Sequence, residues 1–156
     1  SLLQSLSEEE LEEIFRTYGE ERWARKIARA IGRTRGKGLE TTRSLAEFVE
    51  RLIGRYCRIH PATRVFQALR IAVNHELDHL KKFLEQFDTY IGSGGRVVII
   101  SFHSLEDRLV KRAFLEKARA GTVRLLTKKP MRPLYEETME NPRSRSAKMR
   151  AIEKVA

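Results

Sequence analysis

The sequence predicts an α/β protein in which an all-helical part, residues 1–58, precedes an open α/β sheet and its helices, residues 59–156. Three observations predict it. Apolar residues recur at steps of three and four through most of residues 7–91, the period of helices that pack by one face. Residues 96–102 (RVVIISF) are β-branched and apolar without alternation, as in a strand covered on both faces of a parallel sheet. From there the patterns read helix, strand, short helix, strand, an order that belongs to open α/β sheets. Composition agrees. At 156 residues, 41% hydrophobic and 33% charged, with four prolines and nine glycines, the chain is long enough for a core and is neither collagen-like nor low-complexity. A single cysteine, Cys57, excludes an internal disulfide framework and a four-thiolate metal site. The apolar run 97–100 is too short to span a bilayer, and no charged-then-apolar leader opens the sequence, so a cytoplasmic protein with no membrane partner is expected. The first residue is Ser1 rather than Met, which predicts a processed or excised piece.

Each element has its own signal. Ser7-Glu8-Glu9-Glu10 predicts a capping box, with Ser7 as N-cap and acids at the positive end of the helix dipole. Leu11, Ile14 and Phe15 form the apolar face of that helix, and Gly19 ends it. A second helix is predicted over residues 20–31, with Trp23, Ile27, Ala30 and Ile31 on its apolar side. Residues 32–38 (GRTRGKG) read as a basic, flexible loop. Thr41 or Thr42 caps a third helix with Leu45, Val49, Leu52, Ile53 and Tyr56 inward, and His60-Pro61 closes the helical part. One long helix is predicted over residues 62–91, with the stripe Phe66, Leu69, Val73, Leu77, Leu80, Leu84, Phe87 and Ile91. Gly92-Ser93-Gly94-Gly95 is a turn, and the strand 96–102 follows. Ser104 is the expected N-cap of a helix over 104–118. A strand at 122–127, a basic turn at 128–133, a short helix at 134–140 and a last strand at 147–155 complete the order, the last because Ala147, Met149 and Ala151 alternate with Lys148 and Arg150. The strand at 97–100 should have neighbours on both sides, and only one later strand pair is available. One edge is therefore expected to stay open, ready for self-association or for a missing half of the sheet.

The formal net charge is +10, from 31 Lys and Arg against 21 Asp and Glu, and the bases come in two blocks. Residues 22–70 hold thirteen bases and three acids; residues 96–156 hold fifteen and seven. Two separated basic blocks point to a polyanion, most simply nucleic acid. Arg22, Lys26, Arg29 and Arg33 fall at steps of four, three and four, one line down the second helix. Stacked like charges cost roughly a few tenths of a kcal/mol each unless an anion neutralises them, so the line is either a phosphate-contacting ridge or a solvated face. Lys128, Lys129 and Arg132 with Arg143 and Arg145 form a second basic cluster able to hold phosphates.

Three constellations could carry chemistry. His75-Glu76-Leu77-Asp78-His79 matches the H-E-x-x-H zinc-peptidase pattern. On one long helix, however, both histidines fall opposite the apolar stripe beside Lys82 and Gln86, and no third ligand is marked, so a metallopeptidase is a remote alternative and no metal is expected. Thr63, Gln67, Arg70 and Asn74 fall at steps of four, three and four beside the apolar stripe; with His60 and Arg64 before them they could line a pocket, or pack as a polar flank. Ser101 and His103 stand at the carboxyl end of the strand, where open α/β sheets bind ligands. A Ser–His–Asp arrangement through Asp107 on one local segment is sterically awkward, so recognition of a substrate edge fits better than hydrolysis.

Several stretches together resemble one family: Tyr18-Gly19-Glu20-Glu21-Arg22, Ile27-Ala28-Arg29-Ala30-Ile31, His60-Pro61-Ala62-Thr63-Arg64 continuing through Phe66-Gln67-Ala68-Leu69-Arg70-Ile71, Gly94-Gly95-Arg96, Ile100-Ser101-Phe102-His103-Ser104-Leu105-Glu106-Asp107-Arg108, and Glu140-Asn141-Pro142-Arg143 with Arg145-Ser146-Ala147. They resemble the bacterial 16S ribosomal RNA cytosine-N4-methyltransferases, which use S-adenosylmethionine. The resemblance implies the second half of a Rossmann-like class I methyltransferase sheet, residues 59–156, preceded by a helical insertion, residues 1–58, that helps grip RNA. The donor-binding first half is absent, so no cofactor-binding residue is expected here, S-adenosylmethionine should be bound mainly by the missing half, and the piece alone should be inactive. The substrate is then 16S rRNA or the small ribosomal subunit. Asn74, Ser101 and His103 are expected at the cytosine edge, with Arg64, Gln67 and Arg70 ordering the pocket or meeting phosphate. A non-catalytic basic RNA-binding module is the alternative.

Overall fold

The structure is a computed structural model that describes residues 2–34, 36–55 and 59–155. The expectations for Tyr56 and Cys57 fall outside these residues. The chain divides into two compact units, Ser1–Glu76 and Leu77–Ala156. The helix after Pro61 belongs to the first of them, since its Val65 and Ala68 share a core with the helices before it.

The first unit contains α1 (Leu2–Ser5), α2 (Glu8–Thr17), α3 (Ala24–Thr34), α4 (Thr42–Ile53) and α5 (Thr63–Asn74). The capping box of α2 is present: the Glu10 backbone N–H donates to Ser7 Oγ at 3.2 Å, and the Ser7 N–H donates to Glu10 Oε2 at 2.7 Å. Thr41 caps α4 in the same reciprocal way with Ser44. Leu11 and Phe15 of α2, Ile27, Ala28 and Ile31 of α3, Leu45 and Val49 of α4, and Val65 and Ala68 of α5 share one core.

Two expectations shift here. The helix expected from residue 20 begins at Ala24, because Glu20 takes a left-handed conformation (φ 48°) and the buried Glu21 accepts the Trp23 N–H at 2.9 Å. It also runs through Gly32 to Thr34, three residues into the expected loop. On α5 the buried face is Val65, Ala68 and Ile71, while Val73 is exposed, a rotation from the predicted stripe. The reason is a close approach at Gly19. A Cβ there would lie 2.7 Å from the Arg64 carbonyl oxygen and 3.3 Å from the Ala68 Cβ, so only the small face of α5 fits against the end of α2.

The long helix expected over 62–91 is two. His75 adopts a left-handed conformation (φ 51°, ψ 35°) and closes α5; α6 then runs Glu76–Gln86, followed by a 3-10 turn, Phe87–Thr89. A left-handed residue cannot continue an α-helix, and a periodic apolar pattern does not register one such residue.

The second unit holds β1 (Arg96–Ser101), α7 (Ser104–Arg119), β2 (Val123–Leu125), α8 (Tyr135–Glu140) and β3 (Lys148–Lys154), at nearly the predicted bounds. The sheet order is β1-β3-β2, and both pairings are antiparallel, with Val97 opposite Ile152 and Leu125 also opposite Ile152. The expected parallel neighbours are not formed among the described residues. β1 and β2 run in the same direction, but β3 lies between them. Nor is β1 covered on both faces. Val97 and Ile99 pack with Leu84, Phe87, Val110, Phe114 and Ile152, while Val98 and Ile100 are 56% and 55% exposed. Apolarity without alternation here marks a face left bare, and β1 is an edge strand among the described residues.

Candidate functional site

In the first unit the turn before α3 and its outer face form an open groove of about 620 Å³. Arg22, Lys26, Arg29 and Arg33 all line it, as the step pattern predicts. The pattern arises because Ala24, Ile27, Ala28 and Ile31 face the core and leave the opposite face to the bases. These bases are not equivalent. Lys26 Nζ donates to the Leu52 carbonyl at 2.9 Å, and Arg29 Nε pairs with Glu8 at 3.2 Å.

Sequence reasoning missed Arg25 and Trp23, and placed Ala30 and Leu52, which also line the groove, on apolar faces. Arg25 lines it, and Trp23 is not on the apolar side but 39% exposed, with the Arg22 guanidinium 5.4 Å and Lys26 Nζ 5.6 Å from its ring centre. The run Arg22-Trp23-Ala24-Arg25-Lys26, an aromatic between bases, was the available signal.

The polar line on α5 meets its own unit. Gln67 Nε2 donates to the Tyr18 carbonyl at 3.0 Å and Arg64 Nη1 to the Glu20 carbonyl at 3.0 Å, which ties α5 to the turn after α2. Arg70 forks onto Glu76 at 2.8 and 3.1 Å, and Asn74 Nδ2 donates to the same carboxylate at 3.3 Å. Arg70 and Asn74 are thus brought together by Glu76, while Thr63 stands exposed at the start of α5. The same carboxylate belongs to the H-E-x-x-H pattern, which does not lie on one helix: His75 ends α5, and Glu76 and His79 belong to α6. The one-turn spacing of two histidines on a single helix, on which the zinc reading rests, is therefore lost.

In the second unit, Ser101 is buried at the end of β1. The N-cap of α7 is His103, not Ser104. Its Nδ1 accepts the Glu106 N–H at 3.4 Å, and Glu106 Oε2 accepts the N–H groups of Phe102 at 2.9 Å and His103 at 3.3 Å. A ring nitrogen that serves as a cap acceptor is an unusual substitute for a Ser or Asp oxygen, and it holds the imidazole against the first turn of α7.

One turn on, Asp107 faces β3. Arg150 Nε donates to it at 2.7 Å and Arg150 Nη2 at 3.3 Å, with Lys148 Nζ at 3.5 Å. Burial alone would raise the Asp107 carboxyl; the two cations more than offset it and hold the group below the usual carboxylate range. Elsewhere in the unit, the Lys117 ammonium, 2.7 Å from Asp88, lowers that carboxyl too. Lys128, Lys129, Arg132, Arg143 and Arg145 are all exposed, the last two on the 3-10 segment Pro142–Ser146.

Asn74 lies in the first unit, Ser101 and His103 in the second. No helix among the described residues is long and apolar enough to cross a membrane.

Comparison with known proteins completes the description. The profile of the MraW methylase family matches residues 1–155. Proteins named ribosomal RNA small subunit methyltransferase H are similar over nearly the whole chain. The one from Coprothermobacter proteolyticus is 54% identical over 154 residues, 98% of this chain and 52% of that protein. The one from Pelobacter propionicus is 47% identical, covering 99% and 55%, and that of Trichodesmium erythraeum is 53% identical, covering 96% and 52%. The chain spans about half the length of the curated relatives it matches.

Proposed function

The chain belongs to the MraW methylase family, and from that premise we propose that it forms the RNA-gripping and substrate-side part of an enzyme that methylates the exocyclic N4 amine of a cytidine in 16S rRNA. The methyl group comes from S-adenosylmethionine, and the setting is the cytoplasm, on the small ribosomal subunit. The observation that carries the reading is the family match across residues 1–155, together with relatives about half identical that are named for small-subunit rRNA methylation.

The physical features support it. The α3 groove lines up cations for a polyanion. The bare Val98 and Ile100 face and the open β1 edge suit a further layer and strand from the rest of the enzyme. The turn at the end of β1 does not fit the donor. The turn from β1 into α7, residues 101–104, contains no glycine, and its Phe102 and His103 N–H groups are given to Glu106. A nucleoside cradle needs such a turn to be glycine-rich, with its N–H groups free. Donor binding is therefore assigned to the remainder of the enzyme.

What this chain contributes is orientation. The cytosine amine is a poor nucleophile because its lone pair is delocalised into the ring, so much of the rate rests on holding it in line. The base must leave its stack, which unpaired RNA allows at least cost. Asn74 in the first unit, and Ser101 and His103 in the second, are each assigned as a substrate-edge residue of its own unit, with Arg64, Gln67 and Arg70 ordering α5. The cationic groove also suits a non-catalytic RNA-binding module, which would bind RNA but leave methyl transfer to another protein.

The test is transfer of labelled methyl from S-adenosylmethionine to assembled small subunits. The chain alone should be inactive, and the chain joined to the preceding half should methylate cytidine N4. An inactive joined enzyme, or one that modifies another atom, refutes the reading. Unchanged turnover in the joined His103→Ala variant removes His103 from the site.

A further inference from the structure

Trp23 is the sequence's single tryptophan, and the fold leaves it at the mouth of a cationic groove rather than in the core. We propose that Trp23 is a stacking platform for one unpaired RNA base, with Arg22 and Arg25 receiving the adjacent phosphates and Arg33 a phosphate farther along the strand. The proposal rests on the RNA-binding reading above and deepens it.

The groove has two features that one ligand answers. Cations alone would suit any polyanion, whether a sulfated sugar chain, an acidic peptide or a duplex backbone. A half-exposed indole adds most for a ligand with a flat π-face, which none of those offers. A nucleotide carries both a phosphate and such a face. A paired base presents only its edges, so the base must be unpaired.

The spacing agrees. Arg25 and Arg33, eight residues apart on α3, stand about 12 Å apart along its axis, which is three to four nucleotide rises of about 3.4 Å in a stacked strand. Lys26 is anchored to the Leu52 carbonyl and stays beside the ring, fixing one side of the platform. Arg22, exposed beside the ring, is placed to exchange its cation–π contact for an ion pair with a phosphate when a base stacks there.

Because the indole is unique, its own fluorescence reports the event. The whole chain is titrated with short unpaired ribo-oligonucleotides, with the matching duplex, with heparin as a base-free polyanion and with polyglutamate, while labelled-probe anisotropy follows binding independently. Unpaired RNA is expected to quench Trp23; the duplex and heparin, where they bind, are expected to leave its emission unchanged. Trp23→Leu should weaken unpaired RNA by roughly 5- to 100-fold with little effect on the duplex, and Trp23→Phe should keep most of the affinity. Arg25→Gln should reduce the salt slope by about one for every RNA. Unpaired RNA that binds without quenching, or equal weakening of all ligands by Trp23→Leu, overturns the stacking role and leaves the RNA reading standing. Absence of any RNA binding overturns both, and a preference for polyglutamate replaces them with an acidic protein partner. The parent chain's quenching decides the matter even where a variant fails to fold.

Discussion

Removing the Asp107 carboxylate should destabilise the second unit by about 3–5 kcal/mol, the scale for leaving a buried charge without its partner. The two side chains are 13% and 8% exposed, and the contact is a fork at 2.7 and 3.3 Å. In Asp107→Ala the Arg150 guanidinium stays on the covered side of β3, next to Ile99 across the ladder, without an anion. The reverse change is milder. In Arg150→Met, Asp107 keeps Lys148 at 3.5 Å and its place in the first turn of α7, so roughly 1–2 kcal/mol is expected. The double variant should cost less than the sum by more than about 1 kcal/mol, because the second change removes the charge that the first one stranded. Urea unfolding of the chain and the three variants, at unchanged m, measures each value. The pH dependence carries a sign. Asp107 is held below its ordinary value in the folded state, so its contribution is full above the unfolded carboxylate value of about 3.9 and is lost as pH falls through the depressed folded value. The gap between parent and Asp107→Ala should therefore close in acid. Additive single changes, an Asp107→Ala cost under about 0.5 kcal/mol, or a gap that widens in acid would each refute the reasoning.

Three further outcomes are expected. Gly19→Ala forces a methyl to within 2.7 Å of two carbonyl oxygens, those of Arg64 and Phe15, and should cost about 1–3 kcal/mol in the same unfolding assay. Ser7→Ala removes the cap acceptor for the Glu10 N–H and should cost about 1 kcal/mol, read as a lower urea midpoint. Val98→Lys with Ile100→Lys charges the bare face of β1; by light scattering the parent should associate with concentration and the double variant should not, and a monomeric parent would count against the face as an interface.

Much of the molecule was legible one residue at a time. Ser7 and Glu10 predict their capping box because the interaction is local, and the bounds of α7 and β3 follow from patterns contained within each segment. The cationic line was equally legible, since a helix that buries Ile27 and Ile31 must turn Lys26, Arg29 and Arg33 the other way, in line with Arg22 in the turn before it. The pattern could not register backbone events that need one residue only. The left-handed His75 splits a helix whose apolar period runs on unbroken, and Glu20 delays the start of α3 until Trp23 is left outside the core. Nor could it register partners: that Gln67 and Arg64 meet the carbonyls of Tyr18 and Glu20, or that Glu76 gathers Arg70 and Asn74, depends on chain segments the helix period does not see.

The sequence by itself determined most of the helical and strand segments, the clustering of positive charge, and the family. Only the tertiary structure decided that β3 inserts antiparallel between β1 and β2, that one face of β1 stays bare, and that Trp23 opens onto the basic groove. The physical reason is range. Capping, periodicity and charge act within a turn or two of the chain, whereas strand order and the exposure of a single ring are set by which distant segments arrive to cover them.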